Sequence, residues 1–203
     1  MKTVVAGPDE LWNELVATLK DSNCVRVSNA DEFNQFSSED VFFNLYEDAA
    51  KFLYLDSKAM VFINSPLITL QEGKQNESVF RLNAWKGFLT RNQWEIAGTI
   101  NPGISDYFLS IKKQFVQTPD VPGFVSSRIL SMIINEAYFT LEEGVSTKEE
   151  IDIAMKLGTN YPKGPFEWSE EIGLKHVVAL LKKLSENDSR YTPAPLLLKE
   201  SFL

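Results

Sequence analysis

One cysteine, one histidine and ten glycines among 203 residues leave this sequence short of several kinds of chemistry. A lone Cys24 cannot close a disulfide within the chain, so the fold has to rest on a buried core, and a reducing, cytoplasmic setting is the simplest expectation. No stretch approaches the roughly 20 apolar residues of a spanning helix, and the apolar run ending at Pro8-Asp9-Glu10 is too short for a signal peptide, so no membrane partner is expected. Twenty basic against 28 acidic residues give a net charge of -8. Without a dense Lys/Arg cluster, nucleic-acid binding has no electrostatic footing, and any phosphate site needs its own local cations. No metal-ligand set is read.

A hydrophobic content of 44% is ordinary for a chain that buries a core. Lys2 to Gly7 reads as a short apolar strand, and Asp9 to Lys20 puts Leu11, Leu15, Val16 and Leu19 on one helical face. Cys24 to Val27, Val41 to Tyr46 and Met60 to Ile63 read as further strands, which alternate with helix-compatible stretches. That alternation predicts a reduced Rossmann-like α/β domain with a largely parallel sheet over residues 1–117. A dinucleotide fingerprint asks for glycine at three places in the turn after the first strand. Starting from Gly7, this chain has Asp9 at the second place and Trp12 at the third. Gly7 is the cofactor-binding candidate of a degenerate loop, and Asp9 reads more simply as the cap of the helix that follows. Lys51 and Lys58 are candidate phosphate contacts, but scattered surface lysines are ordinarily solvated charges.

Residues 118–203 read as an all-α domain. Phe124 to Glu143 carries Ile129, Met132, Ile133, Ala137 and Leu141 at helical spacing and stops at Gly144, which predicts a central buried helix. Ser146 with Glu149 fits a capping box for a second helix whose apolar residues are Ile151, Ala154, Met155 and Leu157. A third helix spans Leu174 to Leu184 and includes His176 in a packing or surface role. Between them, Tyr161-Pro162-Lys163-Gly164-Pro165-Phe166-Glu167-Trp168 reads as a rigid loop. It serves either as a wall of an acyl pocket or as a packing plug.

The order and spacing of Pro122-Gly123-Phe124, Arg128, Asn135-Glu136-Ala137, Glu142-Glu143-Gly144, Tyr161 to Trp168, and Arg190-Tyr191 closely resemble the C-terminal helical domain of the 3-hydroxyacyl-CoA dehydrogenases. These are NAD-using enzymes of fatty-acid β-oxidation, whose helical domain is of the 3-hydroxyacyl-CoA dehydrogenase / 6-phosphogluconate dehydrogenase type. The resemblance implies a homodimer formed through the helical domain. It also implies substrate contacts at Ser65 and Ser127, the latter standing where the family has Asn, and an acyl pocket near Phe166 and Trp168. Aligning Arg81 and Phe88 with the family puts Lys86 at the catalytic His and Gly98 at the Glu that orients it. Hydride loss from a 3-hydroxyl needs a base near neutral pH, and Lys86 would have to be neutral to serve. The expectation is therefore a degenerate relative that folds without a conventional NAD site or normal turnover. Two alternatives stay open: an active NAD enzyme with an atypical site using Lys86, Ser65 and Ser127, and an acyl-CoA-binding or protein-interaction module.

Overall fold

The computed structural model describes residues 1–20, 23–47, 49–54 and 59–202. Its chain divides into two compact units, Met1–Phe124 and Val125–Leu203. The division therefore falls later than the one expected before Thr118, because residues 118–124 are tied to the first unit.

The described residues of the first unit form a seven-stranded sheet. Its strands are β1 (Thr3–Ala6), β2 (Cys24–Val27), β3 (Val41–Asn44), β4 (Met60–Asn64), β5 (Val79–Leu82), β6 (Gln93–Ala97) and β7 (Gln114–Gln117). They lie in the order β2-β1-β3-β4-β5-β6-β7. Neighbours are parallel except β5 and β6, where Arg81 faces Ala97 and Leu82 faces Ile96. β1, β3 and β5 are buried at every position, as strands covered on both faces must be. Helices α1 (Asp9–Leu19) and α2 (Pro102–Ser110) cover one face, packing Leu11, Leu15, Leu19, Ile104, Tyr107 and Phe108 on Val5, Phe43, Phe62, Phe80, Leu82 and Ile96. The other face is covered by short 3-10 segments, Ala30–Gln35 and Ala49–Lys51, which bring Phe33, Ala49 and Ala50 onto Phe42, Val61 and Ile63. That thinner layer is the sense in which the domain is reduced. Lys51 ends the second of these segments, and Lys58 lies outside the described residues.

Arg81 is completely buried in β5. Its Nε donates to Ser65 O at 2.8 Å, Nη2 to Pro66 O at 3.2 Å, and Nη1 to Asp120 Oδ1 at 2.6 Å and Val121 O at 3.2 Å. Phe124 stacks against the guanidinium at 4.8 Å. Burial pushes the Arg81 pKa down, and Asp120 opposes that shift. The carboxylate of Asp120 also accepts from the backbone N–H groups of Leu70 and Gln71, so one ion pair joins the 65–71 turn, β5 and the 118–124 segment.

The second unit holds α3 (Ser126–Glu142), α4 (Lys148–Thr159), α5 (Pro165–Ile172), α6 (Leu174–Ser185) and α7 (Pro195–Glu200). Three expectations are corrected here. The capping box at the start of α4 is Thr147 with Glu150, one residue beyond Ser146 and Glu149, and Ser146 Oγ donates to the same Glu150 carboxylate at 2.7 Å. The presumed loop from Tyr161 to Trp168 becomes α5 from Pro165 onward. Asp152 of α4 caps that helix, accepting from the N–H groups of Phe166 at 2.8 Å and Glu167 at 3.1 Å. A Cβ on Gly164 would lie 2.2 Å from Asp152 Oδ1, so glycine is needed to admit the capping carboxylate.

The third correction concerns α3. Its buried face is Ser127, Leu130, Ser131, Ile134, Asn135, Ala137 and Tyr138, while Ile129 is 53% exposed. The small and amide side chains allow close packing: Asn135 accepts from Ala194 N–H and donates to Thr192 O, which pins the approach to α7. Glu200 closes the bundle by accepting from Tyr138 Oη at 2.8 Å and Lys148 Nζ at 2.7 Å.

Asp120→Ala leaves the buried Arg81 cation without its counter-charge. We expect a loss of about 3 kcal/mol, at the low end for buried pairs because the Asp120 side chain is 29% exposed. Urea denaturation measures it, and a loss below about 1 kcal/mol contradicts the assigned role.

Candidate functional site in the strand-end crevice

Open α/β sheets bind ligands outside the carboxyl ends of their strands, where the strand order reverses. In this chain that point lies between β1 and β3, beside the turn Gly7-Pro8-Asp9-Glu10. Gly7 fits there only as glycine, since an added Cβ would come 2.8 Å from the Cβ of Leu45, which follows β3. Asp9 is not the cap expected of it. Pro8 occupies the cap position without a capping side chain, and Asp9 is the first helical residue. The Asp9 carboxylate instead takes Arg26 Nη2 at 2.5 Å, and the same nitrogen donates to Gly7 O at 3.0 Å. The Arg26 guanidinium lies 5.6 Å over the ring of Trp12. Acidic residues continue along α1, where Glu10 pairs with Lys86 Nζ at 3.3 Å and Glu14 accepts from Gly87 N–H at 2.8 Å.

A dinucleotide needs bare N–H groups around its pyrophosphate. Here Pro8 has no N–H to offer, the Gly7 carbonyl and the Asp9 carboxylate are spent on Arg26, and Asp9 and Glu10 occupy the positive end of the α1 dipole.

The neighbouring strand ends are also closed by the chain's own amides. Asn44 is fully buried and donates to Tyr54 Oη at 2.7 Å. Asn64 donates to Leu45 O at 3.3 Å and accepts from Ala84 N–H at 3.2 Å, stapling the connections that follow β3 and β5. Ser65 is 3% exposed, with its hydroxyl donating to Ile68 O at 2.6 Å across the Ser-Pro turn.

Lys86 and Gly98, aligned above with the family's His and Glu, are not brought together. Lys86 reaches α1, and Gly98 follows β6 with φ +147°, where a Cβ would strike the Phe80 ring at 2.7 Å. The polar pair across β5 and β6 is a different one: Asn83 Nδ2 donates to Glu95 Oε2 at 3.2 Å. Sequence reasoning passed over these two residues, although they have the same twelve-residue separation as Lys86 and Gly98.

In the second unit, Ser127 is wholly buried on α3. Phe166 packs on Tyr138 at 5.1 Å between ring centroids, and Trp168 on Tyr161 at 5.4 Å. With 4% and 9% exposure, the two aromatics serve the helical core. The outer side of α3 and α4 is apolar, with Val125, Ile129, Val145, Ile153 and Leu157 all more than half exposed. A cavity of about 410 Å³ on this side is lined by Ile133, Ala137, Val145, Ala154 and Met155 among others.

The solved structures similar to this chain include M. tuberculosis FadB2, with TM-score 0.78 and 17% identity over 98% of this chain and 92% of that one. The (S)-3-hydroxybutyryl-CoA dehydrogenase of Ralstonia eutropha gives 0.71 and 18% over 97% and 91%. At such identity the likeness is one of fold. Residues 123–201 match the family described as 3-hydroxyacyl-CoA dehydrogenase, C-terminal domain. Among curated relatives, the 3-hydroxybutyryl-CoA dehydrogenase of Bradyrhizobium diazoefficiens is 44% identical over 96 residues, 46% of this chain and 33% of that protein. The 3-hydroxyadipyl-CoA dehydrogenase of Escherichia coli K12 is 37% identical over 114 residues, 53% of this chain and 24% of that one. The matched stretch thus spans a third or less of these relatives. Among the described residues, no helix is long and apolar enough to cross a membrane, and no cluster of His, Cys, Asp or Glu could hold a metal ion.

Proposed function

We propose that this protein is a cytoplasmic 3-hydroxyacyl-CoA dehydrogenase relative that keeps the family scaffold but neither binds NAD in the conventional way nor oxidises 3-hydroxyacyl-CoA at an appreciable rate. Its work is then to bind, either an acyl-CoA or a protein partner. The observation that carries this reading is the turn after β1, where Arg26 pairs with Gly7 O and Asp9. The placement of the polar groups supports it further, with the Lys86 ammonium paired to Glu10 and the Ser65 hydroxyl donating to Ile68 O. Neither group is poised to take a proton from a substrate hydroxyl.

The helical unit is the partner-binding part. Its exposed apolar side on α3 and α4 fits a second copy of the chain, giving a homodimer through the helical unit. A basic Arg128 near the start of α3 and the acidic Glu142 at its end would meet across two antiparallel copies of that helix.

Two measurements test the proposal. Incubation with 3-hydroxybutyryl-CoA and NAD should give no NADH above the enzyme-free rate, and robust turnover that Lys86→Ala abolishes would install the atypical-enzyme reading instead. Light scattering should give twice the chain mass of 23.0 kDa, falling to the single mass on Ile133→Asp. A monomeric wild type removes the dimer.

A further inference from the structure

The face of the sheet opposite α1 and α2 has the thinner cover. Phe42 of β3 stands beside Val61 of β4 on that face, and both are buried. Parallel strands need cover on both sides. The segments Ala30–Gln35 and Ala49–Lys51 supply it with short 3-10 turns in place of helices, and a cavity of about 510 Å³ remains over these two residues. That volume lies in the range of small-molecule sites, about 300–1,000 Å³. Phe42 and Val61 are the second residues of their strands, near the amino ends, whereas the crevice described above lies at the carboxyl ends.

The walls of this cavity are aromatic and aliphatic. Phe33 packs on Phe42 at 4.8 Å between ring centroids, Phe36 and Phe52 are partly buried beside them, and Leu53 is 58% exposed. Tyr54 is fixed in the wall, since its hydroxyl oxygen accepts from the Asn44 amide at 2.7 Å. The mouth is polar, with Asn34, Ser37 and Ser38 exposed. Among the described lining residues one side chain is charged, that of the exposed Asp31. Lys2 Nζ lies 5.9 Å from the Phe36 ring but does not line the cavity.

We propose that this cavity binds the alkyl chain of a small amphiphile whose head is not anionic, with Asp31 at the mouth meeting that head. The apolar walls gain by taking a hydrocarbon chain out of water. A carboxylate or phosphate head would face the Asp31 charge with no lining cation to offset it, whereas an ammonium gains from that charge and a hydroxyl is met by the polar mouth. The same charge disfavours acyl-CoA with its phosphates, so the site is distinct from the binding role proposed above.

Calorimetric titration of the full chain at pH 7 with octylamine, octanol and octanoate, each below any micelle-forming concentration, separates the heads at constant chain length. Octylamine and octanol should bind saturably, and octanoate about tenfold more weakly. Asp31→Asn should bring octanoate level with octanol. Leu53→Asp puts a charge in the apolar wall at an exposed position that the fold tolerates, and it should weaken all three probes by about tenfold or more. Ile133→Asp, in the helical unit, should alter none of them. Octanoate binding as tightly as octanol, no saturable binding by any probe, or binding unchanged by Leu53→Asp would each overturn the proposal. None of the probes carries NAD or CoA chemistry, so such a result leaves the proposed function standing.

Discussion

A single buried guanidinium sets the limits of the first unit. Arg81 sits in the middle of β5 with no exposure, and its N–H groups reach Ser65, Pro66, Asp120 and Val121. Removing a cation from water is costly unless its hydrogen bonds and charge are met on the inside. Meeting them here forces the 65–71 turn and the 118–124 segment to converge on one strand. That is why the first unit extends to Phe124, and why the turn after β4 is closed.

The same economy governs the carboxyl ends of the strands. In an open α/β sheet those ends hold unsatisfied backbone groups that a ligand can use. In this chain, side chains have taken that place. Asn64 bridges Leu45 O and Ala84 N–H, the Ser65 hydroxyl turns back to Ile68, and Arg26 joins Gly7 O to Asp9. The Arg26–Asp9 pair is exposed and worth at most about 1 kcal/mol in stability. Its importance is steric and electrostatic, because it decides which charges face the turn.

Much of this architecture was legible in the sequence. The first four strands are short apolar runs, and α6 follows its periodicity almost to the residue, from Leu174 to Ser185. β5, β6 and β7 carry no comparable strand signal, since Arg81 in the middle of β5 looks polar until its partners are known, and β7 is exposed at most of its positions. On α3, periodicity identified an apolar stripe but not which stripe the bundle covers. Helices approach closely over Ser127, Ser131 and Asn135, and this left Ile129, Met132 and Ile133 on the outer side. The capping box slipped by one because Ser146-Thr147 and Glu149-Glu150 offer two equivalent frames. The hidden role of Asp152, capping α5 from the preceding helix, had no local signal beyond Gly164, whose missing side chain makes room for it. At the site, aligning Arg81 and Phe88 with the family points to Lys86 and Gly98, whereas strand register pairs Asn83 with Glu95.

The central claim is that the chain's own charges hold the turn after β1, and calorimetric titration with NADH addresses it most directly. The account predicts no saturable heat up to about 1 mM NADH, a limit that corresponds to roughly 4 kcal/mol of binding free energy. Saturable binding in the micromolar range would contradict it, because Arg26 and Asp9 would then have parted to admit the cofactor.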